Sequence, residues 1–196
     1  MDDSATTPSL TTNPYLHEVT SVLDAPDRDE LAIYSMRRTL CARYAWAIPD
    51  EAALDAISRV GPIVEIGAGT GYWASLLAAR GVDVVAYDIV VPGTAVSEFG
   101  HRMMWHPVEF GDAVMAGSHP ERSLLLCWPP YNSSFAYDCV RSYAGSTVVY
   151  VGEGMGGCTG DDAFHTLLDD DFEVVEVVDI PTWPMMHDRL SVHRRR

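Results

Sequence analysis

The residues of this 196-residue chain whose types and spacing could do chemistry lie between positions 64 and 88. Val64-Glu65-Ile66-Gly67-Ala68-Gly69-Thr70-Gly71-Tyr72 joins an apolar run to a helix-like one. Glycines at 67, 69 and 71 permit backbone turns closed to other residues and let a ligand lie against the main chain, so the loop reads as a seat for a nucleotide cofactor. Asp88 ends the next apolar run about twenty residues on, where a carboxylate can accept hydrogen bonds from the ribose hydroxyls of an adenosine group. A dinucleotide enzyme would carry G-x-G-x-x-G, its third glycine permitting close helix packing. Tyr72 stands at that position here.

Glu65-x-Gly67-x-Gly69-x-Gly71 followed by Asp88 resembles the first motif and the acidic second motif of the Rossmann-like (class I) S-adenosylmethionine-dependent methyltransferases. The resemblance runs from about residue 60 to 196, and its specific part is 62–88. It implies an α/β fold with a seven-stranded, mostly parallel sheet, an antiparallel last strand and helices on both faces. S-adenosylmethionine would sit at the carboxyl ends of the first, second and fourth strands. On that resemblance Gly67, Ala68, Gly69 and Gly71 form the loop against the methionine and ribose parts, Glu65 orients the loop or the amino group through water, and Asp88 holds the ribose. Asp112, in Gly111-Asp112-Ala113, falls where family members place an acid on the adenine amino group. The same dipeptide is equally suited to capping the next turn.

Methyl transfer from a sulfonium is an in-line displacement, so the protein has mainly to exclude water and hold acceptor and methyl at close range. A general base is needed only for a weak nucleophile that carries a proton, such as a hydroxyl. Cys127-Trp128-Pro129-Pro130-Tyr131 resembles the proline-proline-aromatic motif of amino methyltransferases acting on adenine, cytosine or glutamine, whose first position is Asn, Asp or Ser. Trp128 fills that position with a donor and no acceptor, so half of the amine-reading device is missing. The turn either walls the pocket, with Trp128 beside the cofactor and Tyr131 facing the methyl group, or is a rigid bend after a core strand. Glu153, in a glycine-rich loop, is a base, a binder of a cationic substrate or a solvated loop acid. His187 and Asp188 orient one another, bind substrate or are turn chemistry. The catalytic expectation thus rests on Glu153, Tyr131 and His187. Trp183, Pro184, Met185 and Met186 form an apolar lid or pack a hairpin, and His106 is expected at the end of the sheet opposite the cofactor.

Seven short apolar or β-branched runs must position these residues, at 62–66, 82–88, 107–110, 123–128, 146–152, 172–180 and 189–194. The first five read as parallel strands covered on both faces, and the last two as a hairpin that reverses the final strand. Helices are expected over 51–60 with Asp50 as cap, over 72–80, over 133–145, and over 160–171 with Asp161 as cap. Within 26–47, Leu31, Tyr34, Leu40, Cys41 and Tyr44 sketch one helix face, which leaves Arg37, Arg38 and Arg43 for a solvated face or the edge of a ligand site. The stretch 89–106 is broken by Gly and Pro and shows no pattern.

Composition bounds the rest. The chain is 47% hydrophobic and 21% charged, with a formal charge of −15 and no lysine. Such a surface repels a phosphate backbone, so general nucleic-acid binding is disfavoured. Cys41, Cys127, Cys139 and Cys158 have no metal-ligand spacing and are expected as free thiols. No apolar run is long enough to span a membrane and no signal-peptide pattern is present, so a cytoplasmic location is expected. The expected organisation is one domain over 1–196: a loose leader (1–14), a helical cap (15–60) and the Rossmann-like core (61–196). The functional expectation is transfer of a methyl group to oxygen or nitrogen of a small molecule, with no metal. Its alternatives are an amino methyltransferase for nucleic acid or protein, and a cofactor-binding protein without catalysis.

Overall fold

The structure, a computed structural model, describes residues 13–24, 29–91 and 103–196. Most of the expected leader and of the unpatterned stretch 89–106 lies outside the described residues, and the last two leader residues, Asn13 and Pro14, belong to the first helix instead. All seven expected strands form: β1 Ile63–Ile66, β2 Val84–Asp88, β3 Glu109–Phe110, β4 Ser123–Cys127, β5 Thr147–Gly152, β6 Phe172–Asp179 and β7 Arg189–Arg195. They make one sheet in the order β3-β2-β1-β4-β5-β7-β6. β1 to β5 run parallel, and β7 enters antiparallel between β5 and β6.

Alternation along the strands sends side chains to two separate cores. Leu124, Leu126, Val148 and Tyr150 face one side, against α5 Phe135–Ser142 and α6 Asp162–Asp171. Leu125, Val149, Val151, Leu190 and Val192 face the other, against α3 Glu51–Ser58, α4 Tyr72–Ala79 and the N-terminal helices. Helices therefore cover both faces, which is why the central strands are apolar throughout. Asp50 and Asp161 cap as expected, accepting from the amides of Ala53 and Phe164 at 2.9 Å each.

The N-terminal cap consists of α1 Pro14–Leu23 and α2 Glu30–Arg43. Asn13 caps α1 by accepting from the Leu16 amide at 3.1 Å, with Pro14 in the first turn. Tyr15 anchors the helix. It is fully buried, stacks on Tyr44 with ring centroids 5.0 Å apart and accepts from Trp183 Nε1 at 3.1 Å. In α2 the expected apolar face is corrected. Leu31 and Tyr34 are exposed, whereas Ile33, Leu40 and Tyr44 pack inward, because at about 100° per residue these three form one row along the helix and Leu31 and Tyr34 lie off it.

Tyr72 explains why no third glycine is needed. Its ring is 1% exposed and packs against Tyr44 at 4.9 Å and Trp105 at 5.2 Å, and its hydroxyl donates to Asn13 Oδ1 at 2.9 Å. The position that brings helix and strand together in a dinucleotide fold here docks the N-terminal cap onto α4.

Candidate functional site

The glycine loop sits at the carboxyl end of β1 and is held from three directions. Gly67, Gly69 and Gly71 have φ of +76°, +55° and +72°. At Gly67 an added Cβ would lie 2.9 Å from Phe135 Cζ, and at Gly71 it would lie 3.0 Å from His106 Cβ, so both positions require glycine for space as well as for conformation. The amides of Gly67 and Ala68 donate to the Tyr87 carbonyl at 2.8 and 3.0 Å, tying the loop to β2. Thr70 Oγ1 donates to the carbonyl of Tyr44 just after α2, and the Trp105 amide donates to the Thr70 carbonyl at 2.8 Å.

Asp88 closes the loop from the end of β2. Its Oδ2 accepts from the Gly69 amide at 2.8 Å and its Oδ1 from the Val90 amide at 2.9 Å. Each carboxylate oxygen has a second lone pair, which a ribose hydroxyl could meet. Glu65 stands behind the loop, 1% exposed, with Oε2 lacking any hydrogen-bond partner. Burial pushes its carboxyl up to about 8, with the Ala74 amide pulling the other way and Asp88 adding to the rise. A buried carboxyl with one unpartnered oxygen beside a loop of left-handed glycines suits a cationic or donor-rich ligand, whose approach would favour its ionised form.

Asp112 follows β3 and is exposed, and its Oδ1 accepts from the Val114 amide at 3.1 Å, capping the short 3₁₀ helix Ala113–Ser118. His106 does not lie at the far end of the sheet. β3 pairs only with the last two residues of β2, so the segment before it crosses the glycine loop and packs on Gly71.

The ends of β4, β5 and β7 bring together Trp128, Glu153, His187 and Asp188. Trp128 has φ +55°, its amide donates to the Val151 carbonyl at 2.8 Å, and its indole stacks on Trp46 with centroids 5.0 Å apart. Its Nε1 donates to Asp188 Oδ1 at 2.9 Å. Burial lifts the Asp188 carboxyl to about 6, opposed by the Trp128 N–H and reinforced by Glu153. Glu153 is no solvated loop acid: it is 7% exposed, and it accepts from the amides of His187 at 2.8 Å and Cys158 at 2.9 Å. Burial alone would raise its carboxyl, but those donors outweigh it and hold the group below the usual range. His187 faces outward, with Nδ1 3.5 Å from Glu153 Oε1, so it pairs with Glu153 and Asp188 pairs with Trp128. Tyr131 is 58% exposed, while the preceding prolines are fastened to the 153–160 loop through the Gly160 amide on the Pro129 carbonyl at 2.9 Å.

No protein-family model matches the chain, and no curated protein matches it. Solved structures do. The N-methyltransferase NodS from Bradyrhizobium japonicum WM9, in complex with S-adenosyl-l-homocysteine, aligns with a TM-score of 0.50 at 15% identity, over 94% of this chain and 99% of that one. Sp1610 from Streptococcus pneumoniae, a candidate tRNA (m1A22) methyltransferase, aligns with a TM-score of 0.50 at 13% identity, over 74% of this chain and 68% of that one. The chain has the Rossmann-like methyltransferase fold.

Within this methyltransferase fold the glycine loop, Glu65, Asp88 and Asp112 occupy the β1 to β3 end, and Trp128, Glu153 and His187 the β4, β5 and β7 end. Of the two alternatives the sequence leaves for Arg37, a solvated face or the edge of a ligand site, the structure places it inward, where the cap brings it and Trp46, which carries no sequence signal, onto Trp128. A signal for Arg37 was present: it falls in the inward row Ile33, Leu40, Cys41 and Tyr44 at helical spacing. The sequence reading passed over Ile89 and Phe110, 62% and 75% exposed, which place apolar surface directly after Asp88 and before Asp112. The four cysteines are free thiols, no group of metal-ligating side chains forms among the described residues, and no helix among them is long and apolar enough to cross a membrane.

Proposed function

We propose that the chain is an S-adenosylmethionine-dependent methyltransferase that transfers a methyl group to oxygen or nitrogen of a small molecule. The observation that carries the proposal is the pairing of two carboxylates across the glycine loop: Asp88 on the Gly69 amide, and Glu65 buried with Oε2 unpartnered. Acids fit this cofactor better than a pyrophosphate, which the same loop would otherwise seat against amide donors. Bound there, S-adenosylmethionine supplies an activated methyl group on a sulfonium.

The protein's own part is to hold and exclude. Asp88 accepts from the ribose hydroxyls, Gly67 to Gly71 let the ligand approach the main chain, and Ile89 with Phe110 offers apolar faces for the adenine whose amino group Asp112 reaches. Glu65 accepts from the amino group directly or through water. On the acceptor side, the N-terminal cap and Trp128 keep water from the reacting atoms. Asp188, with its carboxyl near neutrality, fits the role of base for a hydroxyl or protonated nitrogen better than Glu153, whose oxygens are engaged by backbone amides. Trp128 has its single donor engaged by Asp188 and its ring on Trp46, which argues against presentation of an exocyclic base amine at this turn.

Incubation of the protein with methyl-labelled S-adenosylmethionine and separated fractions of a cell extract tests the proposal. Label is expected in the small-molecule fraction. Label in nucleic acid or protein alone, or in no fraction, contradicts it.

A further inference from the structure

Arg37 is placed where α2 would be expected to carry an apolar residue. Ile33, Leu40, Cys41 and Tyr44 pack inward, and Arg37 lies in their row. Its guanidinium carbon is 5.5 Å from the ring centroid of Trp46 and 5.7 Å from that of Trp128. Nε is buried with no hydrogen-bond partner, and Nη2 meets the thioether sulfur of Met186 at 3.2 Å. Nε and Nη2 are the side-on fork of a guanidinium, whose two parallel N–H bonds match the oxygens of a carboxylate. A thioether is a weak acceptor, and among the described residues no carboxylate forms an ion pair with Arg37. The two acids at this end of the sheet take their hydrogen bonds elsewhere, Glu153 from the amides of Cys158 and His187 and Asp188 from Trp128, and the Arg37 charge reaches Asp188 only as a longer-range attraction that lowers its carboxyl.

We infer that Arg37 anchors the methyl acceptor, and that the acceptor is a small, flat molecule bearing a carboxylate. The carboxylate takes the Nε and Nη2 fork in place of Met186, and the body of the molecule lies beside the Trp46 and Trp128 pair. Met186 suits a placeholder, since its unbranched side chain can turn away without backbone movement. The inference rests on the methyltransferase reading and adds the substrate class to it. It also accounts for an arginine that the cap otherwise buries against sulfur and indole, an arrangement that hydrophobic packing alone would not favour.

The test is ligand-observed NMR on the full chain, saturated with S-adenosylhomocysteine, against matched pairs of flat acids and their primary amides: benzoate with benzamide, and indole-3-carboxylate with its amide. The acids are expected to bind and the amides to bind at least about tenfold more weakly. Arg37→Lys, which keeps the charge and loses the fork, is expected to weaken the acids about tenfold, and Arg37→Gln to remove their binding. Met186→Glu sets a tethered carboxylate on the fork and is expected to block the acids without touching Arg37, which keeps the test valid if the Arg37 variants fold poorly. S-adenosylhomocysteine affinity should stay unchanged in every variant. Intact S-adenosylhomocysteine binding with no acid bound, with acids and amides bound equally, or with acid binding that survives Arg37→Gln or Met186→Glu overturns the inference alone. Failure of the wild-type protein to bind S-adenosylhomocysteine overturns the methyltransferase reading beneath it.

Discussion

The indole Nε1 of Trp128 donates to Asp188 Oδ1 at 2.9 Å, joining the turn after β4 to the first residues leading into β7. A bulky residue at φ +55° is strained by about 1–3 kcal/mol, so the contacts around Trp128 must hold it there. Trp128→Phe keeps a ring for the Trp46 stack and removes the donor. It is expected to lower stability by about 1–3 kcal/mol in urea denaturation, because Asp188 stays buried with one partner fewer. The Asp188 carboxyl should then titrate above its present value of about 6, readable by NMR.

Glu65 and Asp188 contribute to the pH dependence of folding in one direction, while His193, held below its ordinary value by burial, contributes in the other at acid pH. Both carboxyls are raised in the folded protein, to about 8 and about 6, so the folded state binds more protons than the unfolded one between their ordinary and raised values. Stability from these two groups is greatest at acid pH and declines as pH rises, through about 6 for Asp188 and about 8 for Glu65. Above about pH 7, where His193 is neutral in both states, melting temperature should still decline towards about pH 8, and Glu65→Gln should flatten that decline. An unchanged slope in Glu65→Gln would mean that Glu65 is already ionised at neutral pH.

Two glycines with nearly the same φ separate strain from site. Gly81 has φ +82° with nothing near an added Cβ, whereas at Gly67, φ +76°, the added carbon meets Phe135. Gly81→Ala should cost about 1 kcal/mol and leave ligand binding alone. Gly67→Ala should cost more, up to about 3 kcal/mol, and weaken nucleotide binding as well. Melting curves and binding titrations on the two variants check the contrast.

Tyr72→Ala removes the ring on which Tyr15, Tyr44 and Trp105 converge. The loss is expected at about 3–5 kcal/mol, with hydrogen exchange rising first in α1 and α2 rather than in the central strands. Uniform loss of protection across the sheet would show that the cap and core unfold as one.

The strands could be read from the sequence because each is a short apolar run closed by turn residues, and the hairpin of β6 and β7 because only the connection PTWPMMHD separates the last two runs. The glycine loop was legible for the same local reason. α1 was not, since PYLHEVTSVL is held by Tyr15 against Trp183 and Tyr44, partners far away in the chain. Leu31 and Tyr34 misled because they are apolar yet lie off the row of Ile33, Leu40 and Tyr44 that packs inward. At the β4, β5 and β7 end, neither the left-handed Trp128 nor the pairing of His187 with Glu153 and of Asp188 with Trp128 leaves any local signature. Both depend on the meeting of β4, β5 and β7, which brings Glu153 to His187 and Asp188 to Trp128.

The most direct test of the account is calorimetric titration of the purified chain with S-adenosylmethionine, set beside Asp88→Ala. The account predicts saturable binding at one site, weakened by about tenfold or more in Asp88→Ala through loss of the ribose acceptor, with the variant still folded. Absence of binding to the wild-type protein, or equal affinity in the two, would contradict it.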